Sequence, residues 1–224
     1  MKDQTPICTV DVVFLTLKDA KLHVALFKRT SEPFLGTMAL PGGYIHVDED
    51  ADTFDAAMRV LKAKTGVQPA YLEQLKTYSG AARDPRGWSV SVVYYALIDA
   101  SIIEAGGSAE LDFYPVDRLP PLPFDHRSIV LDAVERVRSK GFYSSLPAHL
   151  AGKIFSLSGL QETYEAVIGQ KTNAQSFRRK VLTEGFLEKI EDLAEYGRGR
   201  AAEVYQLKPE FRTKLYITRR PFNS

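Results

Sequence analysis

At 224 residues the chain has room for one large or two modest domains, and a composition of 45% hydrophobic, 25% charged and 11% aromatic residues is that of a soluble globular protein. The formal net charge of +1 selects no class of partner, and a single cysteine, Cys8, excludes an intrachain disulfide. No apolar run approaches the roughly 18 residues of a membrane span, and residues 1–4 lack a secretory pattern, so a cytoplasmic location with no membrane partner is expected.

Residues 10–17 and 22–28 are β-rich runs separated by the hairpin turn Lys18-Asp19-Ala20-Lys21. Cys8, in the run Ile7-Cys8-Thr9-Val10, reads as a buried small hydrophobe. After a polar, turn-prone stretch, Met38-Ala39-Leu40 leads into the Pro41-Gly42-Gly43 corner. The first clear helix follows. Asp50 or Asp52 caps it, Phe54, Ala57 and Leu61 form its apolar stripe, and Thr65-Gly66 ends it. Residues 71–78 and 89–98 read as strands, the second apolar enough to be central and buried. A short strand at 111–116 and a helix at 125–139, with Ile129, Val130, Ala133 and Val137 on one stripe, complete a mixed sheet with helices packed on it.

The pattern breaks at Gly141, Ser144-Ser145, Pro147 and Gly152, so 1–140 is expected as one domain, 141–157 as a connector and 158–224 as a second domain. In that second part, Ser158-Gly159-Leu160-Gln161 is a capping-box candidate for a helix reaching Ile168, with Gly169 as its stop. Asn173 caps a further helix to about Thr183. Strands at 186–191 and 202–207 then flank Tyr196-Gly197-Arg198-Gly199-Arg200. Helix, turn, helix and hairpin in this order are the layout of a winged helix-turn-helix. The stretch 208–224 carries scattered aromatics and Arg219-Arg220, with no role assignable from sequence.

Charge divides between the parts. Residues 1–150 hold 16 Lys/Arg against 19 Asp/Glu, a net of −3, and residues 151–224 hold 13 against 9, a net of +4. A mildly basic C-terminal part suits nucleic acid. On a wheel of about 100° per residue, Ala174, Phe177 and Val181 face the core of the second helix. Gln175, Ser176, Arg179 and Thr183 fall opposite, with Arg178 and Lys180 on the flanks. Arg and Gln side chains suit base edges in a major groove, and flanking cations suit phosphates. Arg198 and Arg200, at a glycine-rich hairpin tip, suit a narrow minor groove. With Asn173 at the helix start, these residues form the candidate double-stranded DNA contact set.

One stretch of the N-terminal part resembles a catalytic cassette. Leu40-Pro41-Gly42-Gly43-Tyr44-Ile45-His46-Val47-Asp48-Glu49-Asp50, then Arg59-Val60-Leu61-Lys62-Ala63-Lys64-Thr65-Gly66-Val67, is similar to the Nudix box, G-x5-E-x7-R-E-U-x-E-E-x-G-U. In that family the glutamates hold magnesium, a hard cation that takes oxygen ligands. Aligned from Arg59, the three glutamate positions are Val60, Ala63 and Lys64, and the Gly43-to-Arg59 segment is two residues longer than the pattern. No metal ligand set, no catalytic residue and no required cofactor is therefore expected.

The two halves together resemble the Nudix-related transcriptional regulators of NAD metabolism, the NrtR family, across nearly the whole chain. Arg83-Asp84-Pro85-Arg86-Gly87-Trp88-Ser89-Val90-Ser91 is similar to the Asp-Pro-Arg-Gly segment of ADP-ribose-directed Nudix proteins. Pro123-Phe124-Asp125-His126 resembles the opening of their last helix, and Ser176-Phe177-Arg178-Arg179-Lys180 with Gly197-Arg198-Gly199-Arg200-Ala201 resembles the family's recognition helix and wing. The resemblance implies a mixed α+β fold, a Nudix-like β-sheet/helix sandwich followed by a winged helix-turn-helix. It implies a homodimeric repressor that senses ADP-ribose or a related NAD metabolite and then releases its operator.

A diphosphate met without magnesium needs side-chain cations, and Arg29, Arg83 and Arg86 are the candidates. Lys62 and Lys64, on the former metal face, stand in for the ion, and Tyr44, Phe34 or Trp88 could stack on adenine. His46 and His126 lack a spacing partner for a metal and read as structural or polar-lining. Three other readings are a sugar- or other metabolite-responsive regulator of the same plan, an active ADP-ribose pyrophosphatase, and a protein-interaction module whose winged helix is a dimer or partner surface.

Overall fold

The computed structural model describes residues 5–66, 69, 71–99, 111–190 and 203–222. The backbone divides into two compact units, the first drawing on the chain up to Val134 and the second containing the chain from Glu135 onward.

In the first unit a seven-stranded sheet is built, among the described residues, from β1 (Ile7–Lys18), β2 (Lys21–Lys28), β3 (Met38–Ala39), β4 (Gly42–Tyr44), β5 (Tyr71–Gly80), β6 (Ser89–Leu97) and β7 (Leu111–Pro115). The central order is β3-β2-β1-β6-β5, with β4 also on β1 and β7 also on β2. β1 and β6 run parallel, from Ile7 opposite Ser89 to Leu15 opposite Leu97. A parallel pair is covered on both faces, which is why Val10 and Val12–Leu15, broken only by Asp11, read as an apolar run and are all buried. Helix α1 (Thr53–Thr65) starts at Asp52, whose carboxylate accepts from the backbone N–H groups of Phe54 and Asp55 at 2.8 and 2.9 Å. It ends at Gly66, which adopts φ 68° and donates to the Lys62 carbonyl, a conformation that suits glycine. Ala57 and Leu61 are fully buried against Val12, Phe14 and Tyr94. Helix α2 runs over His126–Gly141 and buries Ile129, Val130, Ala133 and Val137.

The second unit contains a 3-10 turn at Leu146–Leu150, β8 (Phe155–Ser156), α3 (Leu157–Ile168), α4 (Ala174–Glu184), β9 (Leu187–Ile190) and β10 (Val204–Leu207). β10 lies antiparallel between β8 and β9. Its core joins Ala148, Phe155, Leu160, Tyr164, Phe177, Val181 and Phe186. The turn between α3 and α4 is stapled by Glu165. One of its oxygens accepts from Gln161 Nε2, the Thr172 backbone N–H and the Thr172 hydroxyl, and the other accepts from Lys171 Nζ at 2.6 Å. Burial alone would raise this carboxyl, but those donors outweigh it and hold the pKa at about 2.

Several expectations are corrected by packing. Phe54 is 44% exposed because its ring leans edge-on toward Tyr94 instead of entering the core. Cys8 is exposed, because the buried run of β1 begins only at Val10. Ala174 is exposed in the first turn of α4, leaving Phe177 and Val181 to hold the helix. The α3 cap is Ser156, which accepts from Gly159 N at 3.1 Å, and not Ser158. The stretch expected to connect the domains buries Leu146, Pro147, Ala148, Leu150 and Phe155. The residues after β10 also fold back, placing Phe222 in the core beside Tyr164 and Phe177, with ring centroids at 4.7 and 5.8 Å.

Candidate functional site: an effector cavity and a DNA-reading helix

Strand alternation sends Thr9 and Asp11 of β1 to the same face, where β4 crosses with Tyr44 opposite Thr9 and Gly42 opposite Asp11. A Cβ at Gly42 would fall 2.1 Å from Asp11 Oδ1, so only glycine lets β4 lie against this carboxylate. Around them opens a cavity of about 240 Å³. Phe27 and Arg29 enter it from the end of β2, Lys64 from the last turn of α1, Arg83, Asp84 and Arg86 from the β5–β6 loop, and Phe124 and His126 from the start of α2.

The lining is a set of paired charges. Arg83 forks onto Asp125 with two 3.0 Å bonds, also donates to Ser89 Oγ at 3.2 Å, and lies 3.7 Å from Asp11. Asp11 accepts from the Ser91 hydroxyl at 2.6 Å. Arg86 forks onto Asp84 at 3.0 and 2.7 Å, and its remaining Nη1 donates to the Tyr44 hydroxyl at 2.6 Å. Those hydrogen bonds hold the Asp84 carboxyl below the usual carboxylate range. Arg29 donates to the Pro33 carbonyl at 2.8 Å and lies over the Phe124 ring, 5.1 Å from its centroid. Burial, followed by the nearby Arg86, disfavours the Arg29 charge and lowers its pKa, and an anion in the cavity would offset the repulsion from Arg86. His126 is buried, and burial lowers its pKa. Its Nδ1 accepts from the Leu40 N–H at 3.1 Å, which leaves the proton of the neutral ring on Nε2, 3.7 Å from Asp11 Oδ1.

The structure thus brings Arg29, Tyr44, Lys64, Arg83 and Arg86 to one cavity. It does not bring Lys62, Phe34 or Trp88 there. Lys62 is two residues, about 200°, around α1 from Lys64 and points to solvent. Trp88 is 47% exposed and precedes β6, its carbonyl accepting from the Ile7 N–H. Phe34 packs edge-on to Phe124 at 4.9 Å and lines a neighbouring cleft that shares Arg83, Asp84 and Phe124 with the cavity. Sequence reasoning passed over Thr9, Asp11, Phe27 and Phe124. Asp11 carried a signal, a lone acid in the apolar run Val10-Asp11-Val12-Val13.

The residues at the box positions do not fit a magnesium site. Val60 is buried, Ala63 has no ligand atom, and the Lys64 ammonium lies over the Phe27 ring at 4.7 Å. Asp50, the nearby acid, is bonded to Arg59 by two 2.7 Å bonds, which lower its pKa to about 2. Among the described residues no group of three or more His, Cys, Asp or Glu side chains converges as a metal site.

In the second unit α4 presents Gln175, Ser176, Arg178 and Arg179 to solvent, opposite Phe177 and Val181. Asn173 is committed to capping, its Oδ1 accepting from the Ser176 N–H at 3.0 Å. Arg178 reaches Glu203 at 3.2 Å across an exposed surface. Lys180, expected as a phosphate contact, has partners within the chain. Its ammonium donates to the carbonyls of Arg220 and Pro221 and lies 4.9 Å from the centroid of the Phe222 ring. Arg198 and Arg200 lie outside the described residues.

Residues 8–133 match the NUDIX domain family, and residues 147–207 match the NrtR DNA-binding winged helix domain. The chain is 32% identical over 206 residues to the ADPR responsive transcriptional repressor NtrR of Acinetobacter baylyi, covering 90% of this chain and 82% of that protein. It is 38% identical over 116 residues to an ADP-ribose pyrophosphatase of Methanocaldococcus jannaschii, covering 51% of this chain and 66% of the other. Shewanella oneidensis NrtR complexed with a 27mer DNA superposes with a TM-score of 0.85 at 36% identity, over 96% of this chain and 98% of that one. The NUDIX domain of the same protein, complexed with ADP ribose, superposes with a TM-score of 0.54 at 38% identity, over 59% of this chain and 89% of that one. The chain belongs to the NrtR family, a Nudix domain followed by that family's winged helix DNA-binding domain.

Proposed function

We propose that this protein is a transcriptional repressor whose winged helix holds a double-stranded DNA operator and whose Nudix domain releases it on binding ADP-ribose or a related NAD metabolite. The observation that carries the reading is the cavity itself. It gathers Arg29, Lys64 and Arg86 beside a lining carboxylate, Asp11, and a tyrosine, Tyr44. Guanidinium and ammonium groups suit a diphosphate, while Asp11 can accept from sugar hydroxyls. The named relatives that respond to ADP-ribose or bind it and DNA support the assignment.

The effector acts only through its preference for the DNA-incompetent state, which for typical coupling is about 1–3 kcal/mol. A hydrolysing sensor would erase its own signal, and Val60, Ala63 and Lys64 remove the carboxylates hydrolysis needs. The protein is therefore read as catalytically inactive. A homodimer would present two reading helices to a symmetric operator.

The test is fluorescence anisotropy on duplexes from the gene's own upstream region, with and without ADP-ribose. Tight, salt-sensitive binding reversed by ADP-ribose is expected. Binding that ignores ADP-ribose would move the effector to sugars or other metabolites. Likeness to a pyrophosphatase keeps one check necessary, and magnesium-dependent release of AMP from ADP-ribose would overturn the inactive reading.

A further inference from the structure

The segment following β10 is woven through the second unit. Tyr216 and Ser145 exchange hydrogen bonds at 2.9 Å, Tyr216 N–H to Ser145 Oγ and Ser145 N–H to the Tyr216 carbonyl. The Thr218 N–H donates to the Tyr143 carbonyl at 2.8 Å and the Phe222 N–H to the Phe142 carbonyl at 2.6 Å. Backbone bonding of this kind resembles the edge of a small sheet, with Ser144 bridged to Ile217. The segment is thereby fixed to the chain that leaves α2.

Its other side grips α4. Lys180 donates to two of its carbonyls, those of Arg220 and Pro221, and the ammonium lies over Phe222. One helical turn further on, the Tyr216 hydroxyl donates to Glu184 at 2.9 Å. At about 100° per residue, Lys180 and Glu184 lie beside the buried Phe177 and Val181, and Arg179 lies on the opposite side. The gripped face and the reading face of α4 are therefore different faces of the same helix. Burial lowers the Lys180 pKa, as expected for a cation withdrawn from solvent.

We infer that residues 216–222 form a strap that sets the position of the DNA-reading helix, with Lys180 and Phe222 as its fastenings and Lys180 a positioning residue that does not touch DNA. The inference rests on the reading of α4 as the DNA-contacting helix. Lys180 donates to the carbonyls of Arg220 and Pro221, the first of which also accepts from the Thr218 hydroxyl at 2.7 Å, and Phe222 packs on both Tyr164 and Phe177. An unfastened strap would leave α4 sampling other positions, and apparent affinity falls in proportion to the competent fraction.

The test uses the full-length protein and a labelled duplex from the gene's upstream region, titrated at several salt concentrations, comparing wild type with Lys180→Met and Arg179→Ala. Lys180→Met keeps the packing over Phe222 and removes the hydrogen bonds. A loss of about tenfold in affinity is expected, with the slope of log affinity against log salt unchanged. A phosphate contact would instead lower that slope by about 0.9. Such a fall, or unaltered affinity, overturns the strap. Arg179→Ala should weaken discrimination between this duplex and a random one without any change in ADP-ribose affinity. If wild-type protein shows no salt-sensitive duplex binding, the DNA reading of α4 itself fails, which is a separate result. Phe222→Leu provides the second variant. Its thermal midpoint and ADP-ribose affinity check that the protein is folded, and wild-type DNA affinity in this variant overturns the role given to Phe222.

Discussion

The cavity and the reading helix are both cationic, but they hold their charge in different ways. In the cavity Arg83 and Arg86 are forked onto Asp125 and Asp84, and their side chains are 9% and 35% exposed. On α4 Gln175, Ser176 and Arg179 stand exposed, and the ion pair of Arg178 with Glu203 is open to water. A small-molecule site must have its donors oriented before the ligand arrives, because each rotamer frozen on binding subtracts from affinity. A duplex is a polyanion whose field reaches well beyond contact, so exposed, mobile arginines on a rigid helix suffice to find it and then settle on base edges. Preorganisation is thus concentrated in the Nudix cavity and, for the winged helix, behind the reading face in the strap.

Burial disfavours the charged form of one histidine in each unit, His126 in the first and His149 in the second. His149, with its Nε2 shut off from solvent, has a pKa lowered to about 4 by burial. Unfolded, it would titrate near 6.5, so between pH 6.5 and 4 the unfolded chain takes up a proton that the folded one refuses. Its contribution is constant above about pH 6.5, and stability falls as pH drops through this window, by about 3 kcal/mol in full. His149→Leu should flatten the dependence of the winged-helix melting midpoint on pH across that range. An equally steep wild-type and mutant profile would remove His149 from this role.

The preorganised charge of the cavity predicts the next effect. Asp125→Ala leaves Arg83 buried without its fork partner, and a loss of about 2–3 kcal/mol in chemical denaturation is expected. A loss under 0.5 kcal/mol would mean that Asp11 alone holds the guanidinium. On the helix, Arg179→Ala should lower operator discrimination by about 1–3 kcal/mol with little change in stability. Unchanged discrimination between operator and random duplex would take it out of the reader set. Arg86→Ala should weaken ADP-ribose binding about tenfold, read by titration calorimetry, and leave DNA affinity alone. Wild-type affinity for ADP-ribose would show Arg86 to be a brace for Asp84 only. The smallest effect belongs to the exposed pair, where Arg178→Ala should move the melting free energy by less than about 1 kcal/mol.

What the sequence by itself determined is what local chemistry controls. Asp52, Gly66, Gly169 and Asn173 mark helix ends through bonds to residues within four positions; the last three lie where they were read, and Asp52 is one of the two caps the sequence left open. The erosion of the box at Val60, Ala63 and Lys64 is likewise a statement about side chains at known spacing, and needs no coordinates. The apolar run of β6 announced a central strand because both of its faces are covered. Only the tertiary structure decided which charges meet. Arg83 and Asp125 are 42 residues apart, Asp11 and Ser91 are 80 apart, and Lys180 reaches carbonyls 40 and 41 residues away. Helical and strand periodicity orders a side chain relative to its own element and carries no information about the element packed against it. For that reason neither the fork of Arg83 onto Asp125 nor the bonds of Lys180 to the carbonyls of Arg220 and Pro221 was legible in the spacing.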